Sequence, residues 1–163
     1  MKKPVKIALI VIAVIVVVAV LVICAVLIFA KDKTVLTAEE FKTQMEEKGY
    51  IVEDATYQST SDDHIDQIYE ATSQDNGYKI EFYVFENIEY AKMFYDVNKD
   101  AFEDTISSGY LKSSISIKNY SKYSLSSNNK YKVLSRVENT VIYVNENIAY
   151  TDAIKNLLNE IGY

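Results

Sequence analysis

Tryptophan is absent from this chain of 163 residues, and cysteine, histidine and proline occur once each, as Cys24, His64 and Pro4. A single cysteine inside an apolar run excludes a disulfide framework and thiolate metal sites, so stability elsewhere has to come from packing. A single histidine leaves a zinc site short of ligands, because zinc usually draws on several His or Cys side chains. No G-x-S-x-G elbow is present to serve a hydrolytic triad built on His64, and no glycine-rich phosphate loop occurs. Calcium loops need a longer ladder of oxygen ligands than Asp62, Asp63 and Asp66 supply around His64. These absences point away from a catalytic site, a metal site or a cofactor. Acid is missing too, from the first thirty residues.

What those thirty residues hold is a run of twenty-four, positions 7–30, without a charge, Pro or Gly. As a helix rising ~1.5 Å per residue, it is about 36 Å long, enough to cross a hydrocarbon core about 30 Å thick. Lys2, Lys3 and Lys6 precede it, which predicts a cytoplasmic N-terminus by the positive-inside rule. Residues 1–6 are then a basic cytoplasmic tail, and everything after the span is delivered to the outer side. The run is too long for a cleavable signal, and Ile28-Phe29-Ala30 places a large residue where a small one is needed. A lipidated Cys24 is the competing reading, but Ile23 stands where a small residue is wanted. The expectation is an uncleaved, single-pass signal anchor.

Residues 31–36 form a short juncture without linker character, and 37–163 suffice for one domain with one core. All twenty-three acids fall in this outer part against fourteen Lys and Arg, a net charge of −9. That balance argues against nucleic acid as a partner. Thr37-Ala38-Glu39-Glu40 is a capping box opening a helix that ends at Gly49. Strands are expected over 51–57, 65–72 and 78–85, with Asp75-Asn76-Gly77 as a tight hairpin turn. A second helix starts after Asn87, carries Ala91, Phe94, Ala101, Phe102 and Ile106 on one face, and stops at Gly109. Residues 111–126 read as one strand, 131–137 and 140–144 as two more. Asn147 caps a last helix with Ile154, Leu157, Leu158 and Ile161 facing inward.

A shift of sixty residues sets Gly49-Tyr50 on Gly109-Tyr110 and residues 83–90 on 143–150, with six of the last eight pairs identical. Repeats over 37–96 and 97–156 follow, in the order αβββ–αβββ–α. The expected fold is therefore α+β: a transmembrane helix, then an antiparallel sheet of five or six strands with helices packed on it.

Charge is unevenly divided along the domain. Residues 37–104 hold eighteen acids and five lysines, whereas 105–137 contain no acid and six bases. Tyrosines alternate with those bases, giving a basic, aromatic strand edge. Its candidate contacts are Lys112, Lys118, Tyr120, Lys122, Tyr123 and Lys130, aimed at an anionic lipid surface or an acidic envelope polymer. The competing reading is that such lysines guard an exposed sheet edge against pairing. A sugar-stacking platform of tyrosines is disfavoured without tryptophan, since Tyr is itself a favoured strand residue. Composition resembles that of AT-rich bacterial or archaeal genomes. The functional expectation is a non-enzymatic binding or assembly module of the bacterial cell envelope. Alternatives of another class are an envelope hydrolase or metal-dependent enzyme, or a lipoprotein-type ligand-binding domain.

Overall fold

In this computed structural model the described residues are 11–21, 31–107 and 109–163. The chain forms two units, residues 1–31 and residues 32–163. Within the first, residues 11–21 are helical (α1). No helix among the described residues is long and apolar enough to cross a membrane. Residues 7–10 and 22–30 of the expected span, with Cys24, lie outside the described residues, as do the three N-terminal lysines.

The second unit runs α2 (Ala38–Glu47), β1 (Tyr50–Asp54), β2 (Ile65–Ser73), β3 (Lys79–Phe85), α3 (Ile88–Glu103), β4 (Leu111–Ile117), β5 (Tyr120–Ser127), β6 (Lys130–Val137), β7 (Thr140–Asn147) and α4 (Thr151–Glu160). It is an α+β domain built on one antiparallel sheet of seven strands, in the order β1-β2-β3-β7-β6-β5-β4. The capping box at Thr37 forms as expected: its hydroxyl accepts from Glu40 N at 3.2 Å, and Glu40 accepts from Thr37 N at 2.8 Å.

Seven strands replace the expected five or six because residues 111–126 are a hairpin, not one strand. The chain reverses at Lys118-Asn119, with Ile117 opposite Tyr120. That dipeptide lacks glycine, and Lys118 adopts a positive φ of 52°. The turn is fixed from outside: Asn119 Oδ1 accepts from Lys33 N at 3.0 Å, and Asn119 Nδ2 donates to Lys33 O at 2.8 Å. No local signal carries that information. The second half therefore holds four strands, and the expected αβββ order recurs only in the first. Three smaller corrections have local causes. Helix α3 ends at Glu103, well before Gly109, where Thr105 N and Ile106 N close 3-10-like turns on Phe102 O and Glu103 O. The β2–β3 loop is wider than a two-residue turn, since Thr72 pairs with Lys79. Asn147 caps a short 3-10 turn, Ile148–Tyr150, that leads into α4, instead of capping α4 itself.

Alternation along the strands assigns each face its cover. On one face, Ile80, Phe82, Val133, Ile142 and Val144 pack against Phe41 and Met45 of α2 and Ile154 and Leu158 of α4. On the other, Phe85, Leu125, Leu134 and Val141 pack against Ala91, Tyr95 and Phe102 of α3. Phe94 packs half-buried against Tyr83 and Phe85 as expected, whereas Ala101 is exposed and Tyr95 is a further inward residue. Strand β6 lies under helices on both sides, so seven of its eight residues are buried. The outer strand β4 is the opposite case, with Leu111 to Ser116 all exposed.

Phe82 is fully buried, stacked on Phe41 with ring centroids 4.5 Å apart and edge-on to Tyr163 at 6.0 Å. Phe82→Ala is expected to cost about 3–5 kcal/mol, as large-to-small changes in packed cores do. Thermal unfolding of the full chain followed by circular dichroism measures it. Leu111→Ala on the open strand is expected to stay within about 0.5 kcal/mol of the parent.

Candidate functional site

The acid-free segment supplies β4, β5 and β6, and register decides where its side chains go. Residues directly opposite one another share a face. Ser116, Ser121 and Arg136 form one row across the three strands, and Lys112, Leu125 and Lys132 form another. Both rows face α3. Tyr120 and Lys122 lie on the reverse face, toward α4.

The six expected surface contacts are consequently dispersed. Tyr123 is 1% exposed and belongs to the core beneath α3. Tyr120 is half-buried with the Lys33 ammonium 3.8 Å above its ring centre. Lys122 is half-buried and donates to Tyr163 O at 3.0 Å, while Lys33 donates to Gly162 O at 2.7 Å. These two cations thus bind main-chain oxygens of the two residues that follow the C-cap of α4, near the helix end where positive charge is favoured. Lys112, Lys118 and Lys130 are exposed. Lys112 pairs with Glu103 at 3.6 Å, Lys118 sits in the β4–β5 turn, and Lys130 begins β6 at the far end of the hairpin. One continuous patch of all six does not exist.

The register brings together a different set. Between α3 and the β4–β5–β6 surface lies a cavity of about 330 Å³, at the small end of the range for ligand sites. Lys92, Tyr95, Asp96 and Lys99 line it from the helix, and Ser114, Ser116, Ser121 and Arg136 from the sheet. Arg136 is only 5% exposed. Its Nη1 donates to Glu138 O at 2.9 Å and its Nη2 to Ser121 Oγ at 3.3 Å. The Ser121 and Ser116 hydroxyls are 3.0 Å apart and share a hydrogen bond. Among the described residues no carboxylate lies within ion-pair distance of Arg136. Tyr95 supplies no counter-charge either: burial above all pushes its phenol up to about 12, against the pull of Arg136. Sequence reasoning counted Arg136 among the bases but not as a site residue. The row Ser116–Ser121–Arg136 becomes visible only once the Lys118-Asn119 turn is known.

Two further features complete the survey. His64 stacks on Tyr90 at 3.8 Å and its Nδ1 lies 3.0 Å from a Glu86 carboxylate oxygen. Asp63 instead accepts from Thr60 N at 2.7 Å and Thr60 Oγ1 at 2.9 Å, which holds its carboxyl below the usual range. Asp63 is thereby directed to Thr60 and Glu86 to His64, and no group of three or more metal-ligating side chains gathers among the described residues.

Lys122 generates a pH prediction. Burial, with Lys33 and Lys155 as like-charged neighbours, lowers its ammonium to about 8, whereas an unfolded lysine titrates near 10.4. Between those values the unfolded chain binds more protons, so this group's contribution to stability rises with pH. Below about 8 it is charged in both states and the contribution is flat. Melting temperatures of the parent and Lys122→Met, measured from pH 7 to pH 9.5, should converge on raising the pH if the variant removes a burial penalty. Parallel curves would show that Lys122 is solvated in the folded chain. Comparison with protein-family models, curated proteins and solved structures finds no match to this chain.

Proposed function

We propose that this chain is a single-pass membrane protein of the bacterial cell envelope, with its N-terminus in the cytoplasm and residues 32–163 on the outer side. The domain acts as a non-enzymatic binding module for an anionic partner, either a lipid headgroup surface or an acidic envelope polymer. One observation carries the reading: the acid-free segment 105–137 is gathered into the β4–β5–β6 end of the sheet, away from the acidic β1 and β2. The uncharged run 7–30 supports the anchor. Lys112, Lys118 and Lys130 are exposed at that end, Lys112 beside Glu103, while Lys33 and Lys122 bind the main chain that follows α4. Edge protection alone would account for Lys112 and Lys118 on the outermost hairpin. It does not account for Arg136 on a central strand beside an open cavity.

A duplication of about sixty residues is proposed with it. Phe82 stands opposite Ile142 in the central β3–β7 pair, sixty positions apart, which is the register a two-fold relation between the copies would produce. The helices α2 and α3 lie on opposite faces, so the relation extends to strands and not to their cover.

The test uses the full chain in phosphatidylcholine nanodiscs, mixed with sedimentable vesicles of phosphatidylglycerol and phosphatidylcholine or of phosphatidylcholine alone. The chain is expected to co-sediment with the anionic vesicles at low salt and to be released as salt rises. Replacing Lys112, Lys118 and Lys130 together by Ser should weaken that binding by up to roughly a hundredfold, at about 1 kcal/mol per lysine. Competition by soluble poly(glycerol phosphate) separates a polymer partner from a lipid one. Equal sedimentation with both vesicle types, and no binding of the polymer, would overturn the reading.

A further inference from the structure

The Arg136 guanidinium poses a problem that the fold leaves open. It cannot give up its proton, and its planar fork carries five N–H donors. Removing such a charge from water is costly unless an opposite charge or a full set of acceptors replaces the water. Here two donors reach Glu138 O and Ser121 Oγ, both neutral. Strand β6 is covered on both faces, so the side chain has no route to open solvent except through the cavity beneath α3. Glu138 follows Arg136 in sequence by two residues but contributes its carbonyl, not its carboxylate.

Around that cavity, donors converge from three directions. The guanidinium rises from the floor of the sheet. Ser114 and Ser116 come from the edge strand β4 and Ser121 from β5 beside it, and Lys92 and Lys99 line the cavity from the helix, the Lys99 ammonium 6.0 Å from the Tyr123 ring centre. Lys92 is shared with Glu89 at 3.2 Å, on the solvent side of α3. Asp96 is the one acid lining the cavity, and it forms no ion pair with any of the three cations. A carboxylate ligand, planar with two oxygens, would leave much of this donor set unused. A tetrahedral anion, with oxygens aimed in several directions, engages the fork and the hydroxyls together.

We infer that the cavity between α3 and the β4–β5–β6 surface binds a phosphate group, seated on Arg136 and Ser121 and closed over by Lys99. This deepens the anionic-partner reading and rests on it for biological sense, although the site itself is defined without reference to the exposed lysines. The phosphate is that of a small soluble ester or of inorganic phosphate, or else that of a glycerophosphate unit in a lipid or polymer. The cavity's size admits a glycerol- or sugar-sized substituent beside the anion.

The experiment titrates the full chain in neutral detergent at constant ionic strength with inorganic phosphate, glycerol 3-phosphate and acetate. Binding is read by calorimetry and by the rise in melting temperature. Both phosphates should bind and stabilise, and acetate should do neither. Arg136→Gln should weaken phosphate binding at least about thirtyfold, the scale of losing one side of a buried charged contact. Because a buried position can disturb folding, Lys99→Gln and Ser116→Ala, both away from the closed core, form a second arm and should each reduce affinity severalfold with unchanged melting in the absence of ligand. If phosphatidylglycerol vesicles compete for the phosphate, the group comes from a lipid; if poly(glycerol phosphate) alone competes, it comes from a polymer; if neither does, the ligand is soluble. Equal stabilisation by acetate, or undiminished phosphate binding in Lys99→Gln and Ser116→Ala, would overturn the inference. Anionic vesicles that still bind while phosphate does not would overturn it alone and leave the broader reading standing.

Discussion

Everything distinctive about this domain follows from one strand having no exposed face. β6 runs between β7 and β5 with α2 and α4 on one side and α3 on the other, so its side chains are buried at both parities. A strand in that position is ordinarily apolar throughout. This one carries Lys132 and Arg136 toward α3. The two bases are treated differently. Lys132 extends its stem over the Phe102 ring, with the ammonium 5.0 Å from its centre, and donates to Thr105 Oγ1 at 2.7 Å. Burial lowers its ammonium below the usual range, an option that lysine has and arginine does not. Arg136 stays charged, and the surrounding protein offers it hydroxyl and carbonyl oxygens but no carboxylate.

The two ends of the sheet differ in the same way. The β1–β2–β3 end is closed by α2, and Glu70 and Glu81 meet Lys79 there at 3.1 and 3.5 Å. Lys79 is the one base on those three strands, against Glu53, Asp54, Asp66, Glu70 and Glu81. At the β5–β4 end the sheet projects past its helices, and the strands are rich in serine. Small hydroxyl-bearing side chains leave room on both faces. Toward α4 a cavity of about 450 Å³ is lined by Lys122, Tyr131 and Lys155, with Lys122 donating to Tyr163 O. Toward α3 the cavity is smaller, about 330 Å³, and has the guanidinium at its base. Packing therefore decides which of the lysines are buried, as Lys132 is, and which stand exposed, as Lys130 does.

Much of the architecture could be read from the residues. The capping box at Thr37, the Asn87 cap, the inward faces of α2 and α4, and the strand character of 65–72, 78–85 and 131–137 all rest on local chemistry, and local chemistry was sufficient. The Lys118-Asn119 reversal was illegible because its cause is the Lys33 backbone, eighty-six residues away. Missing it merged two strands and placed Tyr123 and Lys122 on an imagined common edge. The same omission hid the cavity: Ser116, Ser121 and Arg136 are scattered in sequence and meet only through the register of three strands. The charge division was visible as a count, yet a count could not say that its most consequential member lies inside the fold.

The central claim is that Arg136 is held in the folded chain for an anion from outside. It is tested most directly by crystals of the full chain soaked in tungstate, a heavy tetrahedral oxyanion whose anomalous scattering marks its position. The account predicts a peak within hydrogen-bond reach of the Arg136 guanidinium and the Ser121 hydroxyl, stronger than any at the exposed lysines. Peaks confined to surface lysines, with a featureless cavity beneath α3, would contradict it.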